Sequence, residues 1–467
     1  MRTHEAGALH AEALDVRHAP SWLSVPADVN ALHADLWAAN VRRDEEGALT
    51  VGGVDVHEIA TQYGTPAYVV DEADFRARCR AFREGFAGAD VSYAGKAFLC
   101  LATAQWVAEE GLGLDVCTGG ELVVALRAGF PAERISFHGN NKSINEIERA
   151  LSAGVGRFIV DSDEEIDRLG SAAARHGVRA HVLVRVTVGV EAHTHEYIAT
   201  AHEDQKFGFS LADGDAADAV RRILDQPSLE LVGLHSHIGS QIFDATAFEV
   251  SARRIVGLHA AVRDEHGLEL PELGLGGGFG IAYTSQDDPA APDQLGEQLR
   301  QIVADECASR GVAVPRLAVE PGRAIAGPSV LTLYEVGTVK PVRLDGGGRR
   351  TYVAVDGGMS DNIRPALYGA SYSCTLASRS SSAPPMLVRV VGKHCEAGDI
   401  VVPDEFLPAD VSPGDLLAVP GTGAYCRSMS SNYNHVPRPP VVAVRDGVAR
   451  VVVRRETEED LLRLDLP

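Results

Sequence analysis

A lysine placed just after a short apolar run is the first residue of this chain whose position suggests chemistry. Lys96 follows Val91 and Tyr93, which alternate as in a buried strand, and it stands beside Gly95 in the string YAGKA. A lysine amine becomes nucleophilic when burial or a neighbouring cation lowers its pKa, and the end of a buried strand supplies burial. Lysines in such places more often pair with a carboxylate. Lys96 is therefore either half of an ion pair or an amine that bonds covalently to a carbonyl group.

A run of three glycines follows another apolar strand pattern, in the string LGLGGGFG. Gly276, Gly277 and Gly278 leave the backbone bare enough for consecutive N–H groups to surround an anion, and a phosphate is the natural guest. Ser240, in the string HIGS, adds a hydroxyl group. A triple glycine is more often a plain turn, so both interpretations stay open.

The string EPGR places an acid and a base three residues apart behind the apolar run LAV. The carboxylate of Glu320 could keep a pyridinium nitrogen protonated, and the guanidinium of Arg323 could bind an oxyanion through two hydrogen bonds. An ordinary ion pair at the rim of the fold is the alternative. His237 could stack on an aromatic ring, although an ordinary buried histidine is commoner.

Two further groups have residue types that suggest chemistry. The HTHE run at 193–196, with His202 nearby, superficially resembles metal ligands. It has no helical HExxH spacing and no thiol partner, so we predict no metal. Cys395 stands beside Glu396, where an inert buried thiol is the default and a proton donor is the sharper alternative.

Length and composition limit the classes of protein to consider. A chain of 467 residues exceeds what one hydrophobic core usually organises, so we expect two domains. A net charge of -22 disfavours nucleic acid and anionic membranes as partners. The sequence contains neither an apolar run of the roughly 20 residues that span a bilayer nor a recognisable signal peptide. Seven cysteines without a CxxC spacing suggest free thiols, which predicts a cytoplasmic protein.

Apolar strand patterns alternate with helical patterns through the first two thirds of the chain, as in consecutive βα units of a parallel sheet. The candidate strands lie near 67–70, 91–94, 113–116, 134–137, 157–160, 181–186, 231–236, 272–275 and 316–319. Nine candidates are one too many for an eightfold barrel, so we assign the first to another domain. A helix over 71–86 is also predicted, with Asp71 as its N-cap.

Residues suited to chemistry follow different predicted strands, which favours a closed (β/α)8 barrel, as in the TIM fold, over an open sheet. These residues are Lys96, Asp115, His138, His237, Gly276 to Gly278 and Glu320. In a barrel the carboxyl ends of all strands surround one site, so residues far apart in sequence converge. An open sheet would spread them along a line.

After Pro328 the sequence changes to short valine-rich segments separated by Gly, Pro and Asp, which predicts an all-β domain. We therefore predict an N-terminal segment over 1–70 that packs with the β domain, a barrel over 71–328, and a sandwich-like or barrel-like β domain over 329–467. The stretch SRSSSAPP at 378–385 is predicted to be a mobile surface loop.

Ten strings in one order resemble the fold-type III pyridoxal-phosphate decarboxylases, over nearly the whole chain from about residue 45. The strings are SYAGKA, LDVCTGGEL, FHGNNKS, HTHEYIATA with KFG, HSHIGSQ, GLGGGFG, EPGRAIAG, DGGMSDNIRPALYGA, GKHCEAGD and GAYCRSMSSNYN. One departure is Cys117-Thr118, where the family more often has Val-Ser or Ala-Ser. Each string alone is weak evidence, but their shared order is specific.

The resemblance implies pyridoxal 5'-phosphate as the cofactor. Lys96 would bond to it covalently, His237 would stack on its ring, and Glu320 would hold its pyridine nitrogen. Asp115 would lie near the lysine end of the ring, and Cys395 would act in catalysis with these residues. The phosphate group would be held by Ser240, Gly276, Gly277, Gly278, the backbone at Arg323 and the hydroxyl of Tyr425.

The strings are most similar to the diaminopimelate-specific members of this family. The resemblance therefore implies decarboxylation of meso-2,6-diaminopimelate to L-lysine and CO2, the last step of lysine biosynthesis. The distal carbon of this substrate carries both an ammonium and a carboxylate, so its pocket needs both signs of charge. The residues implied for substrate binding are Arg323, Arg364, Tyr368, Glu396 and Tyr425. The family also builds its site from both protomers, which implies a homodimer in which Cys395 and Glu396 reach the partner's lysine.

Two alternatives remain open at this point. The first is a decarboxylase of another basic amino acid, such as ornithine, arginine or carboxynorspermidine, on the same fold. The second is a non-catalytic paralogue that binds the cofactor, although such a protein would be expected to have lost Lys96 or Cys395.

Overall fold

The computed structural model of the chain describes residues 20–189, 206–343 and 349–466. These residues form two compact units, which we call the barrel unit and the sheet unit. The barrel unit contains the described parts of Arg76–Ile281 and Asp288–Ile325. The sheet unit contains the described parts of Met1–Phe75, Ala282–Asp287 and Ala326–Pro467. None of the helices in the described ranges is both long and apolar enough to cross a membrane.

Strands and helices are numbered along the chain, and the first of them belong to the sheet unit. They are Val41–Arg43 (β1), Leu49–Val51 (β2), Val54–Asp55 (β3), Val56–Tyr63 (α1) and Ala67–Asp71 (β4). Strands β1 to β3 form a small antiparallel sheet of their own. The helix Glu72–Gly85 (α2) then leads along the chain into the barrel unit.

Within the described residues, eight parallel strands of the barrel unit close into a barrel. They are Asp90–Ala94 (β5), Gly113–Val116 (β6), Ile135–Phe137 (β7), Arg157–Val160 (β8), Ala180–Thr187 (β9), Leu229–His235 (β11), Glu272–Gly274 (β12) and Arg316–Val319 (β13). A short strand, Phe209–Ser210 (β10), pairs with β9 at its side. Pairing of β8 with β9 and of β13 with β5 closes the ring. The prediction of a (β/α)8 barrel is thus confirmed, and an open sheet is excluded.

Helices follow the barrel strands as the sequence pattern predicts. They are Leu101–Glu109 (α3), Gly119–Arg127 (α4), Ile144–Ala153 (α5), Asp163–His176 (α6), Asp215–Leu224 (α7), Thr246–His266 (α8), Pro292–Arg310 (α9) and the short Arg323–Ala326 (α10). Their ends carry the expected signals. Ser143 and Glu146 form a capping box at the start of α5, and Gly154 ends that helix at a positive φ of 76°.

The remaining elements belong to the sheet unit. They are Val330–Arg343 (β14), Arg349–Val355 (β15), Arg364–Tyr368 (α11), Thr375–Leu376 (β16), Pro385–Val391 (β17), Ile400–Pro408 (β18), Leu416–Pro420 (β19), Val441–Arg445 (β20), Val448–Val453 (β21) and Glu458–Leu462 (α12). The long strand β14 pairs with β4, β15 and β19. Strand β4, which the sequence assigned to another domain than the barrel, thus lies in this sheet between β14 and β20.

The core of the sheet unit joins side chains from distant parts of the chain. Trp37, Leu49 and Val69 pack in one buried cluster with Leu333 and Val442. At the end of β4, Asp71 accepts a hydrogen bond from the backbone N–H of Asp74, as predicted for the N-cap of α2. These contacts give the strands from the first 75 residues a buried place in the sheet unit.

The stretch 378–385, which the sequence predicts to be a mobile surface loop, makes several hydrogen bonds to other segments. Ser378 donates to Asp415 over 3.1 Å, and the guanidinium of Arg379 lies 2.9 Å from the same carboxylate. The backbone N–H of Ser381 donates to the side chain of Asn30 over 2.8 Å. Serine and proline are common in flexible segments, but here polar partners from other segments hold them.

Candidate active site

The carboxyl ends of the barrel strands bring the predicted residues together around one cavity of about 290 Å³. Lys96 follows β5, Asp115 lies in β6, His138 follows β7, His237 follows β11 and Glu320 follows β13, and all five line this cavity. We call it the upper cavity. The barrel closes because β13 pairs with β5, so Glu320 and Lys96 become neighbours although 224 positions separate them in the numbering.

Glu320 is surrounded by histidines. Its Oε1 accepts a hydrogen bond of 2.7 Å from His235 Nε2, and His138 Nε2 lies 3.5 Å from the same oxygen. Burial alone would raise the pKa of Glu320, but His235 and His138 outweigh that effect and hold the pKa below its usual range. Glu320 is therefore ionised and accepts hydrogen bonds.

The pKa of Asp115 is shifted in the opposite direction to that of Glu320. Burial and the nearby charge of Glu320 raise the pKa of this carboxyl well above its usual range. Its Oδ1 lies 3.7 Å from His138 Nε2. The pKa values of two carboxyl groups in the cavity are thus shifted in opposite directions, an arrangement by which active sites separate acid from base.

Two of the cavity histidines, His237 and His138, have pKa values shifted toward the neutral form. Burial, followed by the charge of Lys96, lowers the pKa of His237 well below its usual range, and burial does the same for His138. The backbone N–H of Gly277 donates to His237 Nδ1 over 3.2 Å, which assigns the ring proton of neutral His237 to Nε2. A neutral imidazole of this kind can lie against an aromatic ring without adding charge.

Lys96 differs from the other lysines that might carry a cofactor. Lys142 is buried outside this cavity, and its Nζ donates to Gly139 O, Ile159 O and Glu165 Oε1 over 2.7–2.8 Å. Three acceptors thus surround this amine, which matches the three hydrogens of an ammonium group. Lys206 and Lys393 are exposed. Lys96 is exposed as well, so the burial expected at the end of its strand is not observed, but it is the lysine of this group that lines the upper cavity.

A second cluster contains the residues predicted to bind an anion. The guanidinium of Arg323 donates from Nη2 to Ser240 Oγ over 2.7 Å, and the Arg323 side chain is buried. A Cβ atom at Gly277 would lie 2.4 Å from Glu320 O, and one at Gly278 would lie 2.7 Å from Gly239 O. The glycines are thus required by close backbone packing, and their bare backbone stands in the loop that follows β12 beside a fixed cation.

The other predicted residues lie in the sheet unit. Cys395 and Glu396 are exposed on a short loop, where the backbone N–H of Cys395 donates to Asn434 Oδ1 over 3.0 Å. Arg364 is buried, and its Nη1 donates to the hydroxyl of Tyr372 over 2.5 Å. Tyr368 and Tyr425 are partly exposed, and Tyr425 has a positive φ of 63°.

Sequence reasoning missed several residues that line the upper cavity. Arg185 interrupts the apolar run of β9, and its guanidinium carbon lies 4.4 Å from the centre of the Phe207 ring. His235 stands two positions before His237 at the end of a strand, and this spacing places both on the same face. A charge inside an apolar strand and a repeated histidine were therefore usable signals. Phe207 gave no such signal, and His138 was placed at a strand end without a role.

A metal ion could occupy part of the same cavity. Among the described residues, His138, His235 and Glu320 are the group of possible ligands whose donor atoms all lie within 4.8 Å of one another. His235 and Glu320 already share a hydrogen bond, and a metal site would not explain why Lys96 lines the same cavity. Both observations argue against a metal here. The HTHE run at 193–196 and His202 lie outside the described residues.

The cavity residues fit the cofactor that the sequence suggested. An aldehyde needs an amine, a pyridine nitrogen needs an ionised carboxylate, and a phosphate needs donors and positive charge; Lys96, Glu320 and the Arg323–Ser240 pair supply these groups. The buried Nε2 of His138 has no hydrogen-bond partner among the described residues, so polar capacity remains at the Glu320 end.

Comparison with known proteins agrees with this arrangement. The family described as "Pyridoxal-dependent decarboxylase, pyridoxal binding domain" matches residues 72–327. The chain is 57% identical over 440 residues to diaminopimelate decarboxylase of Mycobacterium tuberculosis, covering 93% of this chain and 98% of the relative. It is 53% identical to the enzyme of that name from Mycobacterium leprae, covering all of both chains. A crystal structure of diaminopimelate decarboxylase from M. jannaschii with L-lysine is similar at a TM-score of 0.85 and 30% identity, covering 92% of this chain and 99% of that one.

Proposed function

The chain belongs to the diaminopimelate decarboxylases of the pyridoxal-dependent decarboxylase family, and from this premise we infer how its residues perform the reaction. The protein removes one carboxylate of meso-diaminopimelate as CO2 and leaves L-lysine, the last step of lysine biosynthesis. The observation that carries the inference is that Lys96 shares one cavity with Glu320, a carboxylate that accepts a hydrogen bond from His235 and whose pKa is held below its usual range.

Pyridoxal 5'-phosphate, when bound, accepts the electron pair that the departing CO2 leaves at the substrate's α-carbon. Glu320 makes this possible by accepting a hydrogen bond from the ring nitrogen and keeping that nitrogen protonated. An arginine at the same position would favour the unprotonated ring. The carboxylate therefore favours decarboxylation over reactions that need a weaker electron acceptor.

Lys96 would hold the cofactor covalently through its amine and would later move a proton at that amine. His237 would support the ring face, and its neutral form would leave the ring nitrogen to Glu320. Asp115 would stand on the lysine side of the cofactor. Residues at three different strand ends would thus attach the cofactor (Lys96), support its ring (His237) and keep its nitrogen protonated (Glu320).

The phosphate group is held by the residues of the second cluster. Ser240, the backbone at Arg323 and the bare backbone of Gly276, Gly277 and Gly278 would supply hydrogen-bond donors, and the Tyr425 hydroxyl would add one more. Arg323 already donates to Ser240, so the two side chains are fixed before the cofactor arrives. Such preorganisation lowers the entropy lost on binding.

The distal end of the substrate is recognised by residues of both charges. Arg323, Arg364 and Tyr368 bind the distal carboxylate, Glu396 binds the distal ammonium, and Tyr425 completes this set. In the sheet unit, the guanidinium carbon of Arg364 lies 4.7 Å from the centre of the Tyr283 ring, and its Nη1 donates to Tyr372. A guanidinium fixed by two aromatic residues keeps one orientation for a carboxylate.

The site is completed by a second copy of the chain. Cys395 and Glu396 are exposed, which suits residues that serve a partner's site, and Cys395 acts there as a proton donor. In a symmetric dimer this contribution occurs twice.

Comparison of CO2 release from diaminopimelate, lysine, ornithine and arginine tests the assignment. We expect rapid release from diaminopimelate, and a loss of activity in Glu396→Gln and Arg364→Lys that appears mainly in KM. Unfolding curves of both variants control for stability, since Arg364 is buried. Faster release from ornithine than from diaminopimelate would contradict the assignment of substrate.

A further inference from the structure

A second cavity lies inside the barrel, on the side opposite to the upper cavity. It measures about 390 Å³, and its outer wall contains Arg157, Glu272 and Arg316, which stand at the starts of their strands. Arg157 Nη2 lies 2.6 Å and Arg316 Nη2 lies 2.7 Å from Glu272 Oε1. We call this second cavity the lower cavity. The barrel interior is therefore not filled by side chains from end to end.

The two cavities share part of their lining. Asp115, His235 and Glu320 line both the upper and the lower cavity. The side chain of Glu320 is 14% exposed, whereas that of His235 is 2% exposed. A carboxylate with space on either side is not oriented by packing alone, so its direction depends on its hydrogen bonds.

His235 supplies that hydrogen bond and is itself held firmly. Its Nε2 lies 2.7 Å from Glu320 Oε1. The His138 ring lies edge-on to it, with ring centres 5.1 Å apart and planes at 70°. On the other side a Cβ atom at Gly274 would lie 2.7 Å from His235 Cδ2, so the imidazole occupies space that only a glycine leaves. The imidazole therefore has little freedom to turn away from Glu320.

We propose that His235 is a positioning residue that holds Glu320 by one carboxylate oxygen, so that the other oxygen is kept for the ring nitrogen of the cofactor. Without His235 the carboxylate turns toward the lower cavity, where Arg157 and Arg316 stand, and the ring nitrogen loses its partner. The inference rests on the proposed function, because it takes Glu320 as the acceptor for that nitrogen. It explains why the Glu320 carboxylate faces the ring nitrogen, as the proposed function assumes.

Two substitutions at this position separate the hydrogen bond from the packing. His235→Phe keeps a flat ring and removes the donor, whereas His235→Gln places an amide N–H close to the position of Nε2 and keeps the donor. We expect His235→Phe to lower kcat about 10- to 100-fold with little change in KM, as is common for residues that orient a catalytic group. We expect His235→Gln to retain most of the wild-type kcat.

Two measurements report on the geometry without relying on turnover. Cofactor labelled with ¹⁵N in its ring shows by NMR whether the ring nitrogen is protonated. We expect it to be protonated in the wild type and His235→Gln across the pH range of stability, and to lose its proton in His235→Phe within that range. A crystal structure of His235→Phe should show the Glu320 carboxylate turned toward the lower cavity.

His259→Phe is the matched control, because His259 is another buried histidine of the barrel unit and does not line either cavity. It should retain the wild-type kcat and ring-nitrogen signal. Gly274→Ala is a second route to the same effect, since its methyl group displaces His235 without removing it. It should lower kcat and ring-nitrogen protonation, and it serves the test if His235→Phe does not fold.

Wild-type kcat and ring-nitrogen protonation in His235→Phe, or in a folded Gly274→Ala, would overturn the proposal. Equal losses of kcat in the Phe and Gln variants, accompanied by equal losses of stability, would also overturn the proposal, because a purely structural histidine gives that result. A wild-type protein that releases no CO2 from diaminopimelate contradicts the proposed function instead. The ring-nitrogen signal and the position of Glu320 would still decide the role of His235 in that case.

Discussion

Lys142 Nζ lies 2.7 Å from Glu165 Oε1, and both side chains are buried. The barrel therefore contains a buried lysine, whereas Lys96, which lines the upper cavity, is exposed. Burial raises the pKa of Glu165 above its usual value, although the attraction of Lys142 opposes this effect. The two lysines show that burial alone does not make an amine reactive, since three acceptors surround the amine of Lys142.

The Lys142–Glu165 pair should contribute to stability and not to catalysis. Glu165→Gln leaves a buried ammonium without its counter-charge, and we expect it to lower the free energy of unfolding by about 3–5 kcal/mol. The double variant Lys142→Met, Glu165→Leu should recover much of this loss, because apolar side chains of similar size often replace a buried ion pair without cost. Urea unfolding measures both. A double variant less stable than Glu165→Gln would contradict this account.

Glu320→Gln should slow decarboxylation much more than it weakens cofactor binding. The amide cannot carry the charge that keeps the ring nitrogen protonated, so we expect kcat to fall about 100-fold or more. Glu265→Gln provides the control, since Glu265 is an exposed acid of the barrel unit that lines neither cavity. Turnover and cofactor titration measure the two effects. Unchanged turnover in a fully loaded Glu320→Gln protein would refute the role of this carboxylate.

His259 should make stability depend on pH. Burial lowers its pKa from 6.5 to about 4, so the unfolded chain takes up a proton at a higher pH than the folded protein does. The stability that the neutral imidazole contributes is present above pH 6.5 and is lost as the pH falls from 6.5 toward 4. Between about pH 7 and about pH 5.5 the wild type should lose about 1 kcal/mol more than His259→Phe. Equal losses in both proteins would place the pH dependence elsewhere.

Subunit mixing should show whether the site is shared. Inactive Lys96→Ala and inactive Cys395→Ala chains would rebuild one intact site in each mixed dimer, from the Lys96 of one chain and the Cys395 of the other. Random exchange gives about half mixed dimers with one good site of two, so about a quarter of wild-type activity should return. Mass spectrometry confirms that exchange occurred. No recovered activity after confirmed exchange would place both residues on one chain.

The sequence predicted the barrel and much of its site because both depend on local patterns. Each strand ends in a recognisable apolar run, and the closure of a parallel barrel brings residues such as Lys96, Asp115 and Glu320 to one place whatever their separation. His237 and the glycine run followed the same logic. The pattern also placed the strand near 67–70 outside the barrel, and it lies in the sheet of the other unit.

The sequence could not show contacts that depend on how distant strands are registered. The hydrogen bond between His235 and Glu320 joins residues 85 positions apart, and nothing in either string points to the other. The stretch at 378–385 is predicted to be mobile from its serines and prolines, and its hydrogen bonds to Asn30 and Asp415 have no signal in the local sequence, because these partners lie in other segments. Local composition indicates how flexible a segment tends to be, whereas the hydrogen bonds that hold the segment depend on polar partners far away in the sequence.

Identification of the lysine that carries the cofactor tests the central claim most directly. Borohydride reduction of the protein loaded with pyridoxal 5'-phosphate makes the covalent link permanent, and peptide mapping by mass spectrometry locates it. We predict a single label on Lys96, and no label in Lys96→Ala treated in the same way. A label on Lys142, Lys206 or Lys393 in the wild-type protein would contradict the assignment of the site.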